Sequence, residues 1–358
     1  MKKLFFCLLL IASFTTNAQI DSSKPNLTIS GYVETYYSYD FNKPSNHNKP
    51  SFFYAYNRHN ETNLNLGFIK AAYISKNTRA NFAVATGTYM NANLAAENGV
   101  LKNIFEANVG LQLSQKKNLW LDAGIFSSHI GFESAIGKDC WTLTRSILAD
   151  NSPYYESGVK LSYTSANEKW FLSALLLNGW QRIQRIDGNN TPSFGHQITY
   201  KPNSKITINS SSFIGNDKPD SVKQMRYFHN FYSIIQLTDK LALTTGFDIG
   251  AEQKAKGSKA YNIWYSPIMI VKINPSEKHQ FAARIEYYND KNAVLIQTNT
   301  PFTLKTLGYS LNYDYAVAPN ILWRLEARGL NAENPVFLRK DNLVNNNFIL
   351  TTALAISF

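Results

Sequence analysis

The chain has 358 residues, of which 44% are apolar, 14% aromatic and only 17% charged, with a formal net charge of +11. No later stretch approaches the roughly 18 consecutive apolar residues that a helical membrane span needs. Lysine and arginine are scattered, which argues against nucleic acid as a partner.

The opening stretch MKKLFFCLLLIASFTTNAQ reads as a secretory signal peptide. Lys2 and Lys3 form its charged start, Leu4 to Phe14 its apolar run, and Thr16 and Ala18 the small residues before a cut at Gln19. Residues 1–18 are thus expected to leave, and 19–358 to form a single domain with a net charge of +9. Cys7 goes with the leader and Cys140 remains alone, so no internal disulfide can form. An exported, charge-poor chain with 21 Tyr, 22 Phe and 6 Trp has the composition of an outer-membrane β-barrel.

From there the sequence divides into sixteen predicted strands: 27–41, 61–75, 79–91, 104–114, 119–130, 155–165, 170–180, 192–202, 205–216, 224–237, 241–254, 260–274, 279–290, 302–316, 321–334 and 346–358. Short connections of turn-forming type, such as NS after Pro202, TDK after Leu237 and PSEK after Asn274, alternate with long ones throughout. Seven short and eight long connections predict an all-β, transmembrane, up-and-down antiparallel barrel. Its short turns would be periplasmic and its long loops extracellular.

The strands alternate with period two. In ILWRLEARG, Ile321, Trp323, Leu325 and Ala327 oppose Arg324, Glu326 and Arg328. In HQFAARIEYY, Phe281, Ala283, Ile285 and Tyr287 oppose Arg284 and Glu286. Asp248 and Glu34 take the same side of their strands, and Arg226 faces inward on the tenth. A charge facing lipid at mid-membrane costs roughly 2–4 kcal/mol for Lys or Arg. The charged face is therefore the lumen, and Glu34, Arg226, Asp248, Arg284, Glu286, Arg324, Glu326 and Arg328 are the predicted pore-lining residues. Lys70 departs from the pattern by sharing a face with Leu64, Leu66 and Phe68; snorkelling or a β-bulge would account for it.

The chain stops on NNFILTTALAISF, a strand whose large face carries Phe348, Leu350, Leu354, Ile356 and Phe358. It is expected to close the barrel against residues 27–41, because hydrocarbon cannot satisfy an open sheet edge. A terminal strand ending in Phe358 also resembles the signal read by the outer-membrane assembly machinery.

Four stretches resemble the OmpL-like β-barrel porins: ISGYVETYYSYDFNKP, RHNETNLNLGFIKAAY, WLDAGIFSSHIGFESAIGKDCWTLTRSILADNSPYYESGVKLSY and LLNGWQRI. The third is the most specific. The resemblance implies an outer-membrane channel; it supplies no catalytic residue and no settled solute.

Loop 131–154 carries Glu133, Lys138, Asp139, Arg145 and Asp150, and WTLTRSILA is expected to form a short helix. By analogy of fold type with general porins, this loop is expected to fold inward and narrow the barrel. Cys140 is expected on the extracellular side or in the pore mouth.

Catalysis is not expected. Ser128 and His129 would point to opposite strand faces unless the strand has ended there, and no metal-binding spacing occurs. No cofactor or metal is expected. The expected partners are outer-membrane lipid, small hydrophilic solutes, the assembly machinery and further copies in a homotrimer. The leading reading is a passive diffusion channel with a weak anion preference. The alternative is a barrel serving as an adhesin, a receptor or a structural protein.

Overall fold

A computed structural model describes residues 25–358; the expected leader and its cleavage site lie outside them. Sixteen antiparallel strands close into one barrel. They are β1 (Asn26–Asp40), β2 (Thr62–Ile74), β3 (Thr78–Thr86), β4 (Ile104–Ser114), β5 (Leu119–Ser127), β6 (Tyr155–Thr164), β7 (Trp170–Leu177), β8 (Ser193–Asn203), β9 (Ile206–Asn216), β10 (Met225–Gln236), β11 (Leu241–Gln253), β12 (Tyr261–Ile273), β13 (His279–Asp290), β14 (Leu304–Ala318), β15 (Ile321–Ala332) and, after a small hairpin of β16 (Phe337–Arg339) and β17 (Asn342–Val344), β18 (Asn346–Ser357). The hairpin lies inside the last long loop, where no strand is expected from sequence.

Closure is made by β18, which pairs with β15 on one side and with β1 on the other, from Tyr32↔Ser357 to Asp40↔Ile349. Phe358 continues the ladder beyond the strand. Its carbonyl accepts from the Gly31 N–H at 2.7 Å, and its own N–H donates to the Gly31 carbonyl at 3.0 Å. The Phe358 ring lies across Gly31, where a Cβ would collide with it. Glycine thus lets the ring lie flat on the strand, and a side chain there would have to push the exposed Phe358 ring aside.

Leu27, Ile29, Phe82, Val109, Phe194, Phe231, Phe281, Ile285, Leu311 and Phe348 all stand exposed on the outer face. Aromatic contacts flank this apolar band. Trp170–Tyr200 and Tyr313–Trp323 lie toward the short turns, and Tyr227–Tyr261 and Tyr39–Phe41 toward the long loops. This is the profile of a lipid-facing barrel wall.

Three details depart from the expected pattern. Strand β3 stops at Thr86 instead of running to 91, because Gly87 takes a φ of +132° and a short helix α1 (Thr88–Asn93) turns inward, burying Tyr89 and Met90. A register shift opposite Glu34/Thr35 leaves Asn65 unpaired in the ladder. That bulge turns Leu66, Phe68 and Lys70 to the lumen, where Lys70 meets Glu106 at 2.5 Å. The third is the lumen itself, which is far from uniformly polar. Phe213, Phe228, Trp264 and Ile268 point in and pack with Phe52 and Phe53 of loop 41–61 and with Ile147 and Leu148 of the third long loop.

Candidate functional site: a lumen loop pinned to a charged wall

The long loop after β5 descends inside the barrel. Its tip, Gly137 to Trp141, reaches the short-turn end, where Lys138, Asp139, Cys140 and Trp141 border a cavity of about 670 Å³ with Asp239, Lys240 and residues 274–280. The chain then climbs the inner wall formed by β13, β14 and β15.

That climb follows a ladder of arginines. Lowest is Arg324, held by Asp314 through two 2.8 Å bonds, which donates to the carbonyls of Gly137 at 2.6 Å and Cys140 at 2.9 Å. Next, Arg284 donates to Thr142 Oγ1, the Thr144 carbonyl, Thr144 Oγ1 and Glu326. Highest is Arg328, which bonds Glu286 at 2.6 Å and the Arg145 carbonyl at 2.9 Å. The carboxylates complete the match by accepting loop N–H groups. Glu326 takes Thr144 N–H at 2.5 Å and Glu286 takes Ile147 N–H at 2.7 Å, while the Asn312 side-chain oxygen takes Leu143 N–H.

These bonds explain why WTLTRSILA is not one helix. Backbone groups of Leu143 and Thr144 go to the wall and are lost to a helical ladder. Only Ile147–Asp150 forms a helix, α2, with the Ser146 hydroxyl accepting from Ala149 N–H as its cap.

The eight predicted lumen-facing residues point inward and are buried. Arg284, Glu286, Arg324, Glu326 and Arg328 bond the loop or one another as above. Glu34 accepts from Asn65 at 2.8 Å and lies against Gly137 of the loop tip. Asp248 accepts from Asn230 at 2.5 Å, and Asn230 accepts Gly131 N–H at the loop's start. Arg226 stands apart, bonded to Glu252 and Asp217 beside Trp180. These charges therefore meet protein on all sides, where the sequence suggests a water-facing wall.

Of the five loop residues singled out, only Lys138 and Asp139 are exposed, paired at 3.6 Å. Glu133 braces the loop internally by accepting from the Ser146 N–H and hydroxyl, and burial raises its carboxyl pKa. Arg145, fully buried, donates to the carbonyls of Ser134, Leu143 and Ala135 and so ties the two limbs together. Asp150 is buried with Oδ1 unpartnered among the described residues, and desolvation pushes its pKa up to about 7.

Cys140 is placed differently from the sequence expectation. It is buried near the short-turn end, with Sγ exchanging bonds with the Ser134 backbone, and burial raises its pKa to about 11. Strand β5 has ended before Ser128 and His129. His129 Nε2 nevertheless meets the Ser212 carbonyl at 2.8 Å and the Ser128 hydroxyl accepts from Ile130 N–H, so the two do not bond each other.

Residues that the sequence reading passed over complete the ladder. Asp314 and Asn312 alternate with Tyr313 and Tyr315 in LNYDY, a signal as clear as the one in β15. Thr142 and Thr144 had no such signal, because an irregular loop has no periodicity to read.

A closed sixteen-strand barrel with a lipid-facing outer band and an inward third loop is the architecture of an outer-membrane porin. The family model "Putative beta-barrel porin-2, OmpL-like" matches residues 26–358, and the chain belongs to that family. It is an outer-membrane channel for passive diffusion. Solved structures agree in fold. The anion-selective porin from Comamonas acidovorans gives a TM-score of 0.62 at 9% identity, covering 94% of this chain and 100% of that one. OmpT of Vibrio cholerae, in its trimer form, gives 0.61 at 8% over 93% and 99%. The outer-membrane channel DcaP of Acinetobacter baumannii gives 0.59 at 10% over 97% and 100%. No curated protein matches the chain by sequence.

Proposed function

We propose that loop 131–154 is the constriction of this channel, and that the wall charges act chiefly by holding it. The observation that carries this reading is the Arg324–Arg284–Arg328 ladder, which binds the loop backbone from Gly137 to Ile147. Solutes then pass beside the loop instead of along the ladder, and small hydrophilic molecules and ions are the class that fits.

Selectivity is set by charges that water reaches. In the cavity at the loop tip, Lys138, Lys240, Lys272 and Lys278 face Asp139, Asp239 and Glu277. In a second cavity at the same end, of about 570 Å³, Lys169 and Lys201 face Glu168. Near-balance with a slight basic surplus gives a weak anion preference. No catalytic residue, metal or cofactor takes part, and the assembly is a homotrimer, as in the trimer form of OmpT of Vibrio cholerae.

Planar-bilayer recording tests this reading. Purified protein should conduct ions, and removing the loop tip (residues 137–141) should raise the single-channel conductance. An unchanged conductance would remove the loop as the constriction, and a non-conducting wild type would favour the adhesin or structural alternative.

A further inference from the structure

Two β-bulges re-aim one side of the lumen wall. On β2 the extra residue is Asn65, and beyond it Phe68 and Lys70 face inward. On β4 the register skips Phe105, with Ala83 opposite Glu106 and Val84 opposite Ile104. Phe105 thereby joins Phe68, and their rings lie 5.1 Å apart and 13° from parallel. Beside them stand Lys70 and Glu106, bonded at 2.5 Å, with side chains 29% and 14% exposed. Bulges commonly turn a side chain toward a functional site. Here β2 and β4 carry one each, and together they bring these four side chains to one place.

All four border a cavity of about 310 Å³ between the wall and residues 130–136, the descending limb of the third long loop. The ladder holds the following stretch, Gly137 to Ile147, against β13–β15, so this cavity lies along a part of the loop that the ladder does not cover. The loop presents Ile130, Phe132 and Ile136 to it. Glu133 is the third charged residue on the lining, and its carboxylate is taken up by Ser146. Lys70 and Glu106 therefore offer the cavity one charge of each sign, next to a wall faced with aromatic rings.

We propose that this cleft is a binding site for aromatic α-amino acids, which narrows the solute class of the channel and, as a station on the solute path, rests on that channel reading. An anion would draw on Lys70 alone and meet Glu106 as a like charge, and a cation would meet the reverse. A zwitterion pairs with both, its carboxylate on Lys70 and its ammonium on Glu106, while the two keep each other. An α-amino acid carries its two charges on one carbon, the compact spacing that a closed ion pair presents. Its side chain then falls on Phe68 and Phe105. A ring fits there best, because aromatic groups pack on one another in offset-stacked and edge-to-face arrangements that aliphatic chains cannot make. The cavity is at the small end of ligand sites, which suits a single amino acid and excludes a peptide.

Calorimetry on the whole protein in detergent micelles tests this with four probes. L-phenylalanine should bind on the order of tenfold more tightly than phenylpropionate, which lacks the ammonium, phenylethylamine, which lacks the carboxylate, or L-alanine, which lacks the ring. That comparison is read on the wild type and needs no variant to fold. The variant Lys70→Gln/Glu106→Gln, checked for heat-modifiable gel mobility, should lose the preference for phenylalanine over the two singly charged probes. No binding of phenylalanine, equal affinity across the series, or a preference that survives in the folded variant would overturn the proposal. Ion conduction by the same preparation in planar bilayers is the separate check on the channel. A wild type that binds phenylalanine selectively but conducts no ions would remove the channel reading and leave the binding site standing.

Discussion

At the scale of single residues, the ladder rests on charges that have exchanged water for each other. Arg284 has no exposed side-chain surface and meets Glu326 at 2.9 Å and Glu286 at 3.4 Å. Removing one member of such a group leaves its partners buried and unpaired, a loss of roughly 3–5 kcal/mol. Arg284→Met should therefore lower the urea midpoint of refolded protein and make single-channel current noisier as the loop comes free. Quiet channels with an unchanged midpoint would show the ladder to be dispensable. Asp150 offers a pH handle. Its folded pKa is about 7, above its ordinary 3.8, because burial disfavours the anion. The unfolded chain gives up that proton first, so the group's contribution is full below about pH 4 and is lost as pH rises to about 7. Melting curves between those limits should show a fall in stability that Asp150→Asn flattens. Cys140 should resist thiol reagents in intact cells and in folded protein at neutral pH, and react only on unfolding, since burial both shields Sγ and keeps it protonated.

At the scale of elements, the outward and inward faces of β13, β15 and β18 were readable because period two maps directly onto lipid and lumen. The irregularities were not. The bulge at Asn65 reverses the faces of the rest of β2, and only the partner strand's register shows it. The long loops hold the larger lesson. By connection length, segments 42–60 and 335–345 fall among the long loops expected outside the barrel wall, on the extracellular side. In the structure Phe52, Phe53 and Tyr56 of the first and Phe337 of the second are buried inside the barrel. An epitope inserted after Phe53 should therefore block folding as firmly as one inserted in the tight turn at Thr238 to Lys240, whereas one after Gly257, in an open loop with nothing packed on that residue, should be accepted. Heat-modifiable mobility of the three insertion variants measures this, and acceptance after Phe53 would contradict the packing described.

At the scale of the whole molecule, the barrel is held by a continuous ladder with no free edge, and Phe358 is its last rung. The side chain is 69% exposed, so it faces lipid and is not packed in a core. Its burial contributes at most roughly 1.5–3 kcal/mol, small against a closed ladder of sixteen strands. Deleting Phe358 should leave refolding into detergent nearly normal while surface levels in cells fall, the outcome expected of a terminal strand that is read as an assembly signal through strand addition. Normal surface levels would remove that role, and failure in both settings would make the residue structural. Reversal potential across a salt gradient should show a weak anion preference that shrinks as salt rises, since charges in wet cavities are screened over about 8–10 Å at physiological ionic strength.

The barrel, its strand number, the direction of its charged face and the strand that closes it are legible in the amino-acid sequence. Each of these follows from local alternation and connection length, properties carried by neighbouring residues. The sequence also pointed to Arg284, Glu286, Arg324, Glu326 and Arg328 as inward charges without revealing what they touch. The folded chain adds that the first and last long loops also pack inside the barrel, and that these charges meet loop carbonyls and amides where water was expected. The physical reason is the same in each case. A loop without periodicity carries no mark of where it packs, and a cluster drawn from three strands exists only once their register brings it together.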